Sequence, residues 1–217
     1  MVELNLTMEQ SPNIQLGTEA PEYAPLTHYH TSLGSSNAVL SVDTSLYSVQ
    51  EGVVTQATGA QSHAEGASTR ATGGQSHSEG ASTQATGAQS HAEGVTTKAT
   101  GAQAHSEGNF TEASGDQSHS EGNTTIASAT CAHAEGYNTL ASSPYQHVQG
   151  KLNEEDKEGK YAHIVGGGGR GMYWRHNIHT LDWDGNAWFD GGITFHDSEG
   201  NEHSLDEILE RLIALEG

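Results

Sequence analysis

The stretch Gln61-Ser62-His63-Ala64-Glu65-Gly66 recurs at a fixed interval of 14 residues and is the strongest structural signal in this chain. A period this short cannot hold a pair of helices, but it holds two short strands joined by tight turns. The repeats therefore predict an all-β fold, a parallel β-roll or β-solenoid in which each repeat is one turn stacked on the last. The recurring histidines are His63, His77, His91, His105, His119, His133 and His147, and the recurring glutamates are Glu65, Glu79, Glu93, Glu107, Glu121 and Glu135.

Residues within this stretch alternate between the two faces of a strand. Ser62, Ala64 and Gly66 fall on one face, and His63 and Glu65 fall on the other. We expect the small residues to face the inside of the roll. A second row of small residues repeats in phase with them: Ala57, Ala71, Ala85, Ala99, Ala113, Ala127 and Ala141.

The predicted interior is unusually poor in large apolar side chains. A lining of alanine, serine and glycine buries little apolar area, at about 25 cal/mol for each Å². Such a core is too small to offset the entropy lost when one chain is ordered. Oligomerisation is the expected remedy. A disordered linker is the alternative for a chain so rich in glycine and serine, but disorder does not require histidines and alanines in phase.

The S-x-A-x-G core of the repeats, as in residues 62–66 and 90–94, is similar to the head repeats of trimeric autotransporter adhesins. Those repeats form left-handed parallel β-rolls in threefold assemblies. The S-H-[AS]-E-G variant resembles repeats in tail fibre proteins of phages that infect Gram-positive bacteria. The resemblance covers residues 43–150 and implies a homotrimeric β-roll shaft in a phage fibre or appendage.

In the adhesins, the two variable positions of this core are commonly apolar and pack toward the neighbouring subunits. This chain has His63 and Glu65 there. These positions line a polar trimer interior or face solvent. The resemblance further implies a protein made in the host cytoplasm, carried on the virion, and bound to a glycan or protein of the host cell surface.

Charge excludes two classes of partner. The 217 residues include 28 acidic and 8 basic side chains, which gives a formal net charge of −20. A protein that binds nucleic acid or an anionic membrane needs lysine and arginine to neutralise phosphate. Neither is therefore expected as a partner. The sequence also contains no apolar stretch long enough to span a bilayer and no signal-peptide pattern at its start, so no membrane insertion is expected.

The histidines and glutamates of the repeats form what we call the His–Glu ladder. Stacked strands lie about 4.8 Å apart, so the imidazoles should form one row and the carboxylates a second row beside it. We interpret the ladder as structural, with each carboxylate hydrogen bonding sideways to an imidazole and raising its pKa. The alternative is divalent metal along the ladder, although the repeats hold no closed set of four ligands.

Catalysis by the ladder is the least favoured interpretation. Glycoside hydrolysis needs one acid and one base in different environments, and near-identical repeats do not provide that difference. The protein is therefore predicted not to be an enzyme. The competing hypotheses are a tailspike enzyme that degrades glycan, and a bacterial or prophage-derived adhesin.

Residues 1–42 are predicted to be a separate segment that attaches the protein to the virion or tail. Within it, His28-Tyr29-His30 would send two imidazoles to one side of a strand. In threefold phage fibres of other kinds, three copies of such a pair supply six nitrogens to an octahedral metal on the axis. His28 and His30 are thus candidate ligands for a divalent metal on the threefold axis, the alternative being two surface histidines.

Residues 151–203 are predicted to form a Trp-rich β-hairpin module, because Asp184-Gly185 and Glu199-Gly200 mark hairpin turns. The run 177–193 resembles the C-terminal ends of tail and minor structural proteins of Gram-positive phages. Aromatic side chains here either stack on sugars of a receptor or form the module's own core. The candidates for glycan contact are Trp174, Trp183 and Trp188.

Residues 204–217 are predicted to form a helix that joins three chains. Ser204 and Glu207 fit a capping box at its start. Apolar residues then follow at spacings of three and four, which is typical of a coiled-coil seam. About 13 residues are too few for a helix that is stable alone in water. The predicted trimerisation residues are Leu205, Ile208, Leu212 and Leu215.

Overall fold

A computed structural model describes residues 30–31, 38–168 and 174–216. Its first strands are antiparallel and lead into the repeats, and the last of them opens the parallel stack. They are β1 (His30–Thr31), β2 (Ala38–Asp43) and β3 (Ser48–Val53).

Each repeat then contributes a strand of five residues and a strand of two residues. Partners in neighbouring strands are 14 residues apart, as in His63 with His77 and Ala71 with Ala85. Every side chain therefore stacks on its own counterpart, and the predicted parallel β-solenoid is confirmed. The strands are β4 (Gln56–Ala57), β5 (His63–Ala67), β6 (Arg70–Ala71), β7 (His77–Ala81), β8 (Gln84–Ala85), β9 (His91–Val95), β10 (Lys98–Ala99), β11 (His105–Asn109), β12 (Glu112–Ala113), β13 (His119–Asn123), β14 (Ile126–Ala127), β15 (His133–Tyr137), β16 (Leu140–Ala141) and β17 (His147–Lys151).

The main sheet continues past the last repeat. A further parallel strand follows β17 in register, with His163 opposite His147, and two antiparallel strands then complete a sheet of 13 strands. A separate hairpin and a helix end the described chain. These elements are β18 (Tyr161–Gly167), β19 (Asn177–Asp182), β20 (Ala187–Phe189), β21 (Thr194–His196), β22 (Glu202–Ser204) and α1 (Leu205–Glu216).

Both predicted hairpins are present. Strands β19 and β20 pair across Gly185, and β21 and β22 pair across Gly200. Each glycine has a φ of +87°, a conformation that glycine adopts without steric cost. Helix α1 begins as predicted, because the Glu207 amide donates to Ser204 Oγ and the Ser204 amide donates to the Glu207 carboxylate.

Four rows of small side chains line the solenoid, each residue at most 2% exposed. Three of the rows confirm the sequence-based prediction, and the fourth, a row of threonines, was not anticipated. The narrow core contains only small residues until Val148 and Ile164 close its far end. The rows are Ala57, Ala71, Ala85, Ala99, Ala113, Ala127 and Ala141; Ser62, Ser76, Ser90, Ala104, Ser118 and Ala132; Ala64, Ser78, Ala92, Ser106, Ser120 and Ala134; and Thr69, Thr83, Thr97, Thr111, Thr125 and Thr139.

The prediction that the repeated glycine faces the interior is wrong. Gly66 is exposed, and its backbone has a φ of +107°. A Cβ at this position would lie 2.1 Å from the carbonyl oxygen of Gly80 in the next repeat. Glycine recurs here because the backbone is left-handed and the next strand stacks directly against it.

Hydroxyl pairs satisfy part of the polar core. Ser78 and Thr83 lie 2.7 Å apart through their hydroxyl oxygens, and Ser106 and Thr111 lie 2.8 Å apart. Where alanine replaces the serine, the pair cannot form. Among the described residues, Thr97 Oγ1 is accordingly buried without a hydrogen-bond partner.

Replacing Ala92 with serine is expected to stabilise the shaft by about 1 kcal/mol, because the new hydroxyl gives Thr97 a partner. Chemical denaturation followed by circular dichroism measures the change. Ala134→Ser is the matched control, since Thr139 already donates to the Glu135 carbonyl at 3.1 Å. If Ala92→Ser is no more stable than Ala134→Ser, the missing partner of Thr97 does not cost stability and the prediction is wrong.

Candidate functional site

The ladder histidines form one continuous column of stacked rings. Successive ring centroids from His63 to His147 lie 4.7–4.9 Å apart, and the rings are within 15° of parallel. The solenoid backbone sets this spacing, since in-register parallel strands place each imidazole over the preceding one. The predicted histidine row is therefore present along the whole shaft.

Two further histidines extend the column beyond the repeats and were missed by the sequence analysis. The ring of His163 lies 5.2 Å from that of His147 and is tilted by 44°, and the ring of His179 follows at 5.4 Å in an edge-on orientation. The spacer before β18 lengthens the interval from 14 to 16 residues, which hides His163 from a strict periodicity. The signal that remains is the H-x-x-G pattern of residues 163–166, whose Gly166 pairs with Gly150.

The glutamates lie beside the histidines, as predicted, but they do not hydrogen bond to them. The Nε2 to carboxylate distances are 3.7–4.0 Å except for His147 and Glu135, at 3.3 Å. A hydrogen bond from nitrogen to oxygen spans about 2.7–3.2 Å. Within the described chain, every ladder Nε2 from His63 to His147 is buried and has no hydrogen-bond partner. The prediction of sideways hydrogen bonds is wrong because the carboxylates stand too far from the ring nitrogens.

At His91 and His119 the predicted rise in imidazole pKa is also wrong. Burial of the half-exposed ring lowers the pKa of His91 below its ordinary value of 6.5, and positive charge on the adjacent imidazoles lowers it further. The nearby glutamates raise this pKa by less. The same causes lower the pKa of His119 and of His163. These rings favour the neutral form, which is the form that binds a metal ion.

The ladder brings histidines and glutamates into five groups of three possible metal ligands. The ligand atoms of each group lie within 4.8 Å of one another. The carboxylate row also lines a shallow surface groove of about 370 Å³. No group supplies four ligands, in line with the sequence analysis. The groups are Glu51, His63 and Glu65; Glu65, His77 and Glu79; His91, Glu93 and His105; Glu107, His119 and Glu121; and His133, Glu135 and His147.

The three tryptophans do not form the core of the C-terminal module. Trp174, Trp183 and Trp188 are between 50% and 72% exposed, so the core interpretation is wrong. Trp188 lines a groove of about 440 Å³ together with Tyr161. Trp183 donates its indole N–H to the Gly159 carbonyl at 3.0 Å. Of the three, Trp188 is the one that lines this groove.

The remaining predicted site residues are at the two ends of the chain. His28 lies outside the described residues and His30 begins β1, so the axial metal site stays a prediction. In α1, Leu205, Leu212 and Leu215 are exposed and Ile208 is half-buried. The helix therefore presents an apolar face that the described part of the chain does not cover.

No protein-family model matches this chain, and comparison with curated proteins gives no relative either. In the part of the chain that the structure describes, no helix is long and apolar enough to cross a membrane. The fold and the site together define a parallel β-solenoid with a column of stacked histidines along one face.

Proposed function

We propose that this chain is a structural, non-enzymatic subunit of a homotrimeric fibre or appendage of a phage that infects Gram-positive bacteria. The observation that carries the proposal is the unbroken parallel stack from β3 to β18, nine strands in register. At about 4.8 Å for each strand, this stack is a shaft roughly 40 Å long. The S-H-[AS]-E-G repeats that build it are those that resemble phage fibre repeats.

Two features support the trimer. The core of one chain contains little besides alanine, serine and threonine, which is a weak basis for an isolated fold. Helix α1 has 12 residues, too few to be stable in water without packing, and its leucine side chains are exposed. A three-chain bundle would bury these side chains and clamp the shafts together.

The two ends of the shaft then have different functions, attachment at one end and host contact at the other. We assign residues 1–42 to attachment to a virion or tail protein, and the C-terminal module to contact with a glycan or protein of the host surface. The groove beside Trp188 supports this assignment, because an exposed aromatic ring next to polar side chains is suited to stacking on a sugar. Neither role requires nucleic acid or membrane insertion.

Light scattering of the purified chain is expected to give three times the chain mass of 22.8 kDa. The trimer is expected because the core of one chain is small and because association would bury the exposed apolar side chains of α1. Measurement across a tenfold dilution series tests whether the assembly persists at low concentration. A monomer at every concentration would refute the trimer.

The competing hypothesis of a glycan-degrading tailspike makes a different prediction. A glycan-degrading enzyme produces new reducing ends when it is incubated with host-wall glycan, whereas a structural fibre produces none. The ladder does not favour hydrolysis, because its carboxylates repeat in nearly the same surroundings. The genes that flank the coding sequence distinguish a phage fibre from a bacterial or prophage-derived adhesin.

A further inference from the structure

The ladder leaves a row of buried ring nitrogens without partners in the described chain. Each Nε2 from His63 to His147 is shielded from solvent and makes no hydrogen bond. Native proteins rarely leave buried polar atoms unpaired, because the desolvation of such an atom is not compensated. A column of seven such atoms on a folded shaft therefore points to something that binds there.

The distances around these nitrogens fit two ligands of one metal ion. A tetrahedral ion with bonds of 2.0–2.1 Å holds its ligand atoms about 3.3 Å apart. The ladder places Nε2 and carboxylate oxygen 3.3–4.0 Å apart, as in His147 and Glu135 at 3.3 Å and His77 and Glu79 at 3.7 Å. To reach coordination distance, the longest pair, His119 and Glu107 at 4.0 Å, would have to shorten by about 0.7 Å through side-chain rotation.

The ligand chemistry identifies the class of ion. Imidazole and carboxylate together suit zinc and its neighbours in the first transition row, and they suit magnesium or calcium poorly. Three protein ligands leave a further position for water. Glu65 belongs to two of the five groups, so at most four groups are filled at the same time in one chain.

We propose that the His–Glu ladder is a linear array of binding sites for divalent first-row transition ions, with zinc as the ion that fits it best. In the group of His91, Glu93 and His105, the ligands come from the adjacent strands β9 and β11. An ion there ties two repeats together. It also neutralises part of the carboxylate row, and so supplies stabilisation that the small core lacks. The proposal holds for a monomer or a trimer and is independent of the fibre function.

The first test is zinc binding by the full chain. Protein stripped with EDTA is dialysed against low micromolar zinc chloride, and the bound metal is measured by elemental analysis. We expect more than one and up to four zinc ions per chain, together with a higher thermal unfolding midpoint. A chain that binds no zinc under these conditions overturns the proposal.

The second test changes the ladder without changing its shape. All six repeat glutamates are replaced by glutamine, which is isosteric and already occupies this position as Gln149. Glutamine also stacks well in this fold, since Gln75, Gln89, Gln103 and Gln117 each donate to the glutamine of the preceding repeat at 3.0–3.1 Å. We expect zinc affinity to fall at least about tenfold.

The matched control makes the same change in charge away from the ladder, by glutamine substitution of Glu112, Glu154, Glu155, Glu158, Glu199 and Glu210. This control is expected to bind zinc as the unchanged chain does. Equal zinc binding by the ladder variant and the unchanged chain would place the metal elsewhere, for example at His28 and His30, and would overturn the proposal.

A single substitution keeps the test decisive if the sixfold variant does not fold. Glu107→Gln removes one carboxylate from the group that contains His119, and Glu112→Gln changes the neighbouring strand in the same repeat. We expect Glu107→Gln to bind about one zinc ion fewer per chain than Glu112→Gln. Identical stoichiometry in the two variants counts against the array.

Discussion

Replacing Gly94 with alanine is expected to lower the free energy of unfolding by about 3–5 kcal/mol, the combined effect of backbone strain and overpacking. Gly94 has a φ of +106°, which an alanine adopts only with strain. Its new Cβ would lie 2.2 Å from the carbonyl oxygen of Gly108. The backbone of one strand fixes the position of the Cβ, and the carbonyl belongs to the backbone of the next strand, so neither can rotate away. Urea denaturation followed by circular dichroism measures the loss.

Gly74→Ala is the control for this prediction. Gly74 does not have a positive φ, and a Cβ there would come no closer than 3.9 Å to the Ala60 carbonyl oxygen. Alanine already occupies the same place in other repeats, as Ala60, Ala88 and Ala102. The variant is expected to be as stable as the unchanged chain or slightly more stable. Equal losses at Gly74 and Gly94 would show that strand stacking is not the cause.

The repeats made the main features of the shaft predictable. In a parallel stack in register, each residue meets its own counterpart from the next repeat, so the recurrence of Ala57 or His63 in the sequence is a direct record of contacts in space. The same logic gave the direction of Ala64 and of the histidines. It required only that the period be constant.

The turns of the repeat were not predictable in the same way. Gln61 has a φ of +59° and Phe110 a φ of +54°, although neither residue type marks a left-handed conformation. These conformations are imposed by the closed path of the backbone, in which each such amide bonds to the preceding repeat, as Phe110 does to Val95 at 2.9 Å. The inward orientation expected for Gly66 failed for this reason, since strict alternation ends where φ becomes positive.

The chemistry of the ladder was predictable only as far as its placement. Alternation puts histidine and glutamate on one face, but it does not give the distance from ring nitrogen to carboxylate or the burial of the ring. Those two quantities decide the hydrogen bonds and the pKa of His91, and both went against the sequence-based expectation. His163 was not predicted as a member of the histidine column because a longer spacer precedes it, although its strand stays in register with β17.

Replacing Leu212 with aspartate is expected to raise the dissociation constant of the proposed trimer about a hundredfold or more, from the loss of about 3 kcal/mol per buried leucine. Leu212 is 51% exposed in the chain and lies on the same apolar face as Leu205 and Leu215. If three helices pack along this face, each chain would bury a carboxylate in an apolar seam. Sedimentation velocity over a range of concentrations measures the shift from trimer to monomer.

Phe110→Asp is the matched control, because it also replaces an exposed apolar residue by aspartate but does so on the shaft. Other repeats carry Ser68, Thr96 or Asn138 at this position, and aspartate tolerates its positive φ better than phenylalanine does. The trimer should survive this change, and it should also survive His105→Gln. If Leu212→Asp and His105→Gln weaken assembly equally, the helix is not the clamp. Contacts along the shaft faces would then have to hold the chains together, and the ladder would face the trimer interior.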